Sequence, residues 1–468
     1  MVMGMQLNRR QFTLGSAGLL GSLGLMAEAS AQSASDYKAL VCIFLYGAND
    51  HYNTLIPYDD ASHAQYYGIR KGVAVAGTPY EGIALARNWL ADTALSTPLS
   101  GGRQMAVNPA MPEIKTLFEL GRAAWLLNLG PLVVPTTRAQ YDNKTVPLPP
   151  KLFSHNDQQA YWQSSAQTEG AQTGWGGRAA DLMLSSNGKA NLTCVSVNGN
   201  ALFLSGNSAL ASQVSTSGAT TVNALRSNSL FGSSQAASAL RTLMTQVPNT
   251  LLGATYNQIN RRALDAYDTL SNAIGNSASA AMTAWFATAG SNTLSAQLKV
   301  VARLIEARAV LGLHRQVFMV GMGGFDLHDN LPTQHPGLLQ KLSQACKEFD
   351  DAMQGLGVAK QVTSFTASDF GRTLVSNGDG SDHGWGAHHL LMGGAVNGKA
   401  FYGTAPEIGL SHSQQVGSGR LLPSTSIEQL AAELARWMGV SPSDMPMVLP
   451  NSGNFDLYKL GLMTNPSS

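Results

Sequence analysis

Stretches of uninterrupted apolar residues that stop at glycine, and then at carboxylates or imidazoles, constrain this chain most. "YKALVCIFLYGAND" (Tyr37–Asp50), "RQVFMVGMGGFDLHDN" (Arg315–Asn330) and "QVTSFTASDFGRT" (Gln361–Thr373) have this form. A run without polar alternation suits a strand buried on both faces, as in a parallel sheet covered by helices. Further strands are expected at Ala123–Leu129, within "ANLTCVSVNG" and at His389–Val396. Helical patterns lie between them: Ile114, Leu117, Phe118 and Leu120 give a helix that stops at Gly121, and longer patterns run over Leu294–Leu311 and Leu338–Leu356. Strands alternating with helices predict an α/β fold with a central, mostly parallel sheet. Ligands of such sheets collect beyond the carboxyl ends of the strands. Asp50, Asp326, His328 and Asp369 all fall at such ends.

The length, 468 residues, fits one large domain with insertions. A formal net charge of +1 gives no electrostatic footprint for nucleic acid or an anionic membrane. The N-terminal "NRRQFTLGSAGLLGSLGLMAEASAQ" holds Arg9, Arg10, Gln11 and Phe12, an apolar stretch from Leu14 to Met26, and the small-residue site Ala29-Ser30-Ala31. That is the layout of a signal peptide over residues 1–31, of the twin-arginine type, which implies a periplasmic or secreted protein. A membrane-anchoring helix is the alternative, but the stretch is short and glycine-rich for a span. The mature chain, 32–468, then reads as a single domain without a transmembrane segment. Cys42, Cys194 and Cys346 form no CxxC pair, and no disulfide is expected. From about 201 to 291 the sequence turns to Ser, Ala, Asn and Thr. This reads as a largely helical insertion, either a lid over the working edge of the sheet or simple packing.

Four polar clusters stand out: "YGANDHYN", "LFSHNDQQ", "GGFDLHDN" and "SDFGR…SDHGWGAHH". The last holds several of the chain's 10 histidines. Carboxylates with imidazoles are ligands for divalent ions such as zinc or manganese. Each cluster also has a plainer reading. Asp50 suits an Asx-turn after a strand. Ser154 with Asp157 is a capping pattern at a helix start, which is also where backbone N–H groups hold phosphate or sulfate. Asp326 and His328 share a face on a strand, whereas His388 and His389 point opposite ways. For four clusters together at strand ends, a site is the better reading.

At these motifs the chain resembles the exported domain of unknown function 1501 (DUF1501) family. The similarity rests on the twin-arginine start, the "GAND" turn, "NPAMPEIKTLFELGRAAWLLNLG", "LFSHNDQQAYWQS", "TGWGGR", "GGFDLHDN", "SDFGRT" and "GSDHGWGAHHLLMGG". That family is in turn similar to the alkaline phosphatase and sulfatase superfamily. The resemblance implies a three-layer sandwich with metal ions at the strand ends. By motif order it implies metal ligands at Asp50, Asp326, His328, Asp369 and His383, with Asp382 and His388 as partners behind them. It places a nucleophile at Ser154, with His155 assisting the leaving group and Arg372 or Lys151 as the cation facing the ester oxygens. The cofactor implied is one or two divalent ions: zinc, manganese or calcium. Phe370 stands where the superfamily carries a ligand histidine, so one metal, an altered second site and an inactive site stay open.

The activity implied is hydrolysis of a small or polymeric phosphate ester. Sulfate esters rank second, because no Cys/Ser-x-Pro/Ala-x-Arg motif surrounds Ser154. The alternative is a non-catalytic exported binding or assembly factor on the same scaffold, acting with a second exported protein. An oxidoreductase lacks support, since neither G-x-G-x-x-G after a strand nor CxxCH is present.

Overall fold

A computed structural model describes residues 37–166, 170–219, 223–246, 250–276 and 280–464. The signal segment expected at 1–31 lies outside the described residues. Strand Lys38–Leu45 lies at the centre of the main sheet, parallel to Arg315–Met322 on one side and Val362–Ser368 on the other. Cys194–Ser196 and then Ser212–Ser215 extend the Arg315–Met322 side in parallel. On the other side, Ala387–Met392 pairs antiparallel with Val362–Ser368, and Ala123–Gly130 pairs antiparallel with Ala387–Met392. The sheet is therefore mixed but mostly parallel, as the apolar runs predict. The strand expected at His389–Val396 begins two residues earlier and runs against its neighbours.

Alternation along the central strand sorts its side chains into two cores. Ala39, Val41, Ile43 and Leu45 pack with helices Pro112–Glu119, Thr293–Glu306 and Leu331–Gly355. Leu40, Cys42 and Phe44 pack on the opposite face, with helices Trp175–Asp181 and Ile427–Met438. Successive strand residues point to opposite faces, so a strand covered on both sides must be apolar throughout. Burying each Leu, Ile, Val or Phe contributes about 1.5–3 kcal/mol, which is why this scaffold tolerates a polar edge. Helix Ile427–Met438 shows how local sequence sets element ends. Ser426 and Gln429 form a capping box at its start, and Gly439, in the left-handed region, ends it. All three cysteines are buried and free.

In the serine-rich stretch the described residues are largely helical, including Ser234–Thr245 and Leu251–Asn276, with two short strands, Ser212–Ser215 and Gly218–Ala219. Ser212–Ser215 joins the sheet's margin beside Cys194–Ser196, and the short helix Leu202–Leu204 packs near helix His155–Ser164.

Candidate metal centre

Four separate pieces of chain meet at the carboxyl edge of the central strands. Asp326 and His328 follow Arg315–Met322, and Asp369 follows Val362–Ser368. His383 ends a short strand, Ser381–His383, that pairs back on Arg372–Ser376. His155 opens helix His155–Ser164. Gly47, after the central strand, makes this convergence possible. It has a positive φ, and a Cβ there would lie 2.4 Å from the Asp326 backbone nitrogen.

Three imidazole Nε2 atoms face one another across the centre. His383 Nε2 lies 3.1 Å from His155 Nε2 and 2.9 Å from His328 Nε2. Asp326 completes the set: its Oδ1 is 3.1 Å from His328 Nε2 and 3.4 Å from His383 Nε2, and its Oδ2 is 3.5 Å from His155 Nε2. His155, Asp326 and His383 form a group whose donor atoms all lie within 4.8 Å of one another.

Each ring is held from behind. His155 Nδ1–H donates to buried Asp369 Oδ2, which also accepts the Gly47 N–H and the Gln159 side-chain amide, each at 3.1 Å. His383 Nδ1–H donates to the Phe153 carbonyl at 2.8 Å. His328 Nδ1 lies 3.3 Å from Asp382 Oδ1. With Nδ1 of His155 and of His383 placed on acceptors, the Nε2 atoms of His155 and His328 both approach that of His383, an arrangement that a shared proton or a cation between them would stabilise. Outer partners that fix the imidazole tautomer are what a metal-ligating histidine needs. The residues present therefore fit a divalent ion, and the nitrogen-rich donor set suits zinc or manganese better than oxygen-seeking calcium.

The electrostatics agree with the geometry. The bond to Asp369 raises the His155 pKa against the opposing effect of burial, helped by the charges of Asp369 and Asp326. Burial lowers that of His383, with His155 and Arg372 adding repulsion. Burial alone would raise the Asp326 carboxyl, but the hydrogen bond and charge of Arg372, with His155 and His328, hold it below the usual range. Phe370 closes one wall, its ring centroid 4.8 Å from those of both His155 and His383.

Several residues expected in the site stand elsewhere or act differently. Asp50 does not join the cluster: it is ion-paired with Arg70, and both side chains are buried. Asp369 stands behind His155, where its shared Oδ2 is taken up by three donors, not among the converging atoms. Arg372 is fully buried, its guanidinium on Asp326 Oδ1 (2.7 Å) and on the Ser381 carbonyl (2.5 Å), so it holds a ligand carboxylate and does not face a substrate. His155 is one of the converging imidazoles, with its second nitrogen on Asp369. His388 accepts the Asn128 N–H at 3.1 Å and packs against His51, so it does not back the cluster. Ser154 caps the helix start beside His155, and its hydroxyl donates to Asp157 Oδ2 at 2.6 Å. Lys151 is ion-paired with Asp157 at 3.7 Å. Sequence reasoning gave no role to Arg420, whose Nε donates to the His383 carbonyl at 2.6 Å. The one signal for it was the Gly-Ser-Gly turn just before.

The model of a family described as "Protein of unknown function (DUF1501)" matches residues 37–449. Two solved structures match over most of the chain at low similarity. One is the crystal structure of Ps i-CgsB in complex with k-i-k-neocarrahexaose, 9% identical, covering 88% of this chain and 74% of that one, with a TM-score of 0.34. The other is the PsFucS1 sulfatase from Pseudoalteromonas sp., 8% identical, covering 90% and 72%, with a TM-score of 0.32. No curated protein matches the chain.

Proposed function

The chain belongs to the DUF1501 family, and from that premise we propose that it is an exported, metal-dependent hydrolase of phosphate esters, with sulfate esters ranking second. The observation that supports it is the meeting of His155, Asp326 and His383, whose donor atoms lie within 4.8 Å of one another, with His328 Nε2 2.9 Å from His383 Nε2. His155, Asp326, His328 and His383 hold a zinc or manganese ion in this reading. When bound, that ion supplies charge that polarises an ester oxygen and eases ionisation of a hydroxyl nucleophile. The nucleophile is Ser154, one residue before a ligand histidine. Asp157, already hydrogen-bonded to its hydroxyl, takes the proton. Ser154 Oγ attacks phosphorus in line, the alcohol departs and takes a proton from solvent, and water then hydrolyses the seryl phosphate. Because Ser154 makes no side-chain cap to the backbone, the first N–H groups of helix His155–Ser164 stay available for the ester's oxygens. Arg372 keeps Asp326 ionised. Among the described residues no helix is long and apolar enough to cross a membrane. Export by the twin-arginine route rests on residues 1–31.

Elemental analysis of the purified protein, beside an Asp326→Ala/His383→Ala variant, tests the centre. One equivalent of metal is expected in the wild type and essentially none in the variant. Ser154→Ala should keep the metal and lose hydrolysis of phosphate monoesters. A wild-type protein that takes up no zinc or manganese sinks the mechanism. Metal without any ester hydrolysis moves the protein to the binding-factor reading.

A further inference from the structure

We propose that the helical hairpin in the serine-rich stretch, Ser234–Thr245 with Leu251–Asn276, is a docking surface for an anionic phospholipid bilayer, entered tip first. It shares no residue with the metal centre, so the proposal stands apart from the hydrolase reading.

Three observations support it. First, the two helices run antiparallel and their shared tip is apolar. Arg241 pairs with Asp268, Asn257 Nδ2 donates to the Leu243 and Gln246 carbonyls at 3.2 and 2.7 Å, and Arg261 donates to the Thr245 carbonyl. The end of the first helix therefore lies beside the start of the second. At that end Leu243, Leu251, Leu252 and Tyr256 are all exposed, Leu251 and Leu252 by 87% and 83%. Exposed apolar side chains elsewhere, such as Val73, Leu120 and Val310, come from separate parts of the chain, and scattered ones need no partner.

Second, the longer helix is two-sided. Asn257 and Leu264 are buried, while Leu252, Tyr256, Ile259 and Ala263 follow at i, i+4, i+7 and i+11 on the side turned away. Ile259 and Ala263 also line a groove of about 350 Å³, with Leu210, Tyr267 and Leu270, and its one charged lining residue is Arg262. An apolar stripe with a cation at its margin is the layout of a helix that settles between lipid headgroups and acyl chains. Tyr256 suits that boundary, with an apolar ring and a polar tip.

Third, the charge here has one sign. The net charge of +1 over the whole chain conceals an uneven spread. From 182 to 264 the sequence holds Lys189, Arg226, Arg241, Arg261 and Arg262 and neither Asp nor Glu. Lys189, Arg261 and Arg262 are exposed. The carboxylates that follow are Asp265, one turn beyond Arg262, and Asp268, which Arg241 already holds. Each Lys or Arg near an anionic bilayer adds to the attraction. Apolar side chains that stand out from a tip, with cations behind them, fit a surface that yields to them, whereas a partner of fixed shape is better met by a recess.

Cosedimentation with vesicles tests this on the chain from residue 32 onward, which keeps every described residue and removes the apolar stretch Leu14–Met26. The probes are vesicles of phosphatidylcholine alone and of phosphatidylcholine mixed with phosphatidylglycerol, each at low and high salt. Wild type should bind the mixed vesicles at low salt, leave them at high salt, and bind phosphatidylcholine alone weakly. Leu251→Ser/Leu252→Ser/Tyr256→Ser should weaken binding on the order of 100-fold, and Lys189→Gln/Arg262→Gln on the order of 10-fold. Val73→Ser/Val310→Ser should leave it unchanged. Thermal melting accompanies each variant, and if the serine variant melts early the Lys189→Gln/Arg262→Gln variant decides. A wild type that stays in solution with both kinds of vesicle overturns the proposal. So does vesicle binding that the serine variant or the Lys189→Gln/Arg262→Gln variant leaves intact, because another surface then carries it. Light scattering reads the other occupant: a wild-type dimer that the serine variant turns into monomer, without vesicle binding, makes the tip an interface between copies of this chain and overturns the lipid reading.

Discussion

Two polar regions lie side by side at the head of the sheet, built from the same residue types in opposite ways. At the metal centre, His155, His328, His383 and Asp326 are partly exposed, their donor atoms converge and their far sides are tied down. In the region around Asp50 everything is sealed. Asp50 meets Arg70, Arg70 lies near the faces of Tyr52 and Tyr66, and His335 donates to Asn49 at 2.8 Å. In the first region Arg372 holds one oxygen of Asp326 while the imidazoles of His155, His328 and His383 gather beside it. In the second Arg70 pairs with Asp50 and both are buried. Proximity of carboxylate and imidazole therefore does not define a metal site. What separates the two is whether several donor atoms converge on one space.

The largest effect expected on this contrast comes from Arg70→Met. It strands the Asp50 carboxylate in a dry interior and should destabilise the protein by about 3–5 kcal/mol, whereas Asp50→Leu/Arg70→Met removes both charges and should recover most of it. Denaturant unfolding measures both, and metal content should stay at one equivalent per folded chain throughout. Metal loss in the double variant would return Asp50 to the ligand set. Next in size, Asp369→Asn removes the anion behind His155 and should weaken metal affinity about 10- to 100-fold without abolishing it, as read by competition with a chelator. Abolition would instead make Asp369 a direct ligand.

The contrast also has a pH dependence. Burial lowers His335 to about 4 and His388 and His389 to about 3, and pushes His51 well down too. Unfolded, each returns to about 6.5. The stability held by keeping these rings neutral is complete above pH 6.5 and falls as acid is added. The loss for His335 levels off near pH 4. Unfolding free energies at pH 7, 5.5 and 4.5 should decline in that order. A flat profile would mean these imidazoles are protonated inside the fold.

Much of this architecture is legible in the sequence because burial on both faces leaves its mark on every residue of a strand. Tyr37–Asp50 and Arg315–Asn330 could hardly be anything else. Asp326 and His328 were expected at the site for the same reason, since polar residues abruptly ending an apolar run mark the strand's open end, whereas His383 was expected from the resemblance alone. The sequence could not say which of the polar residues there would find local partners. Arg70 ends a helix twenty residues after Asp50 and folds back onto it, and nothing in either neighbourhood announces the pairing. Arg372 looked like a substrate contact because its burial against Asp326 depends on a hairpin whose two strands are separately unremarkable. Arg420 left no periodic trace, since a lone arginine in a loop is defined only by what the loop is pinned to.

The spacing of the ligands has a consequence for the order of events in the life of the chain. His155 and His383 stand 228 residues apart, and His328 and His383 stand 55 apart. Closing loops of that size costs entropy that grows with the logarithm of their length, and an ion in water cannot supply it by gathering free imidazoles. The sheet must first bring its strand ends into line, and only then does a cavity exist for the metal to enter. In a small zinc domain the ion organises the polypeptide. Here the polypeptide organises the place of the ion, so an occupied centre is a certificate that all four segments, from the helix at His155 to the hairpin at His383, have already reached their final positions.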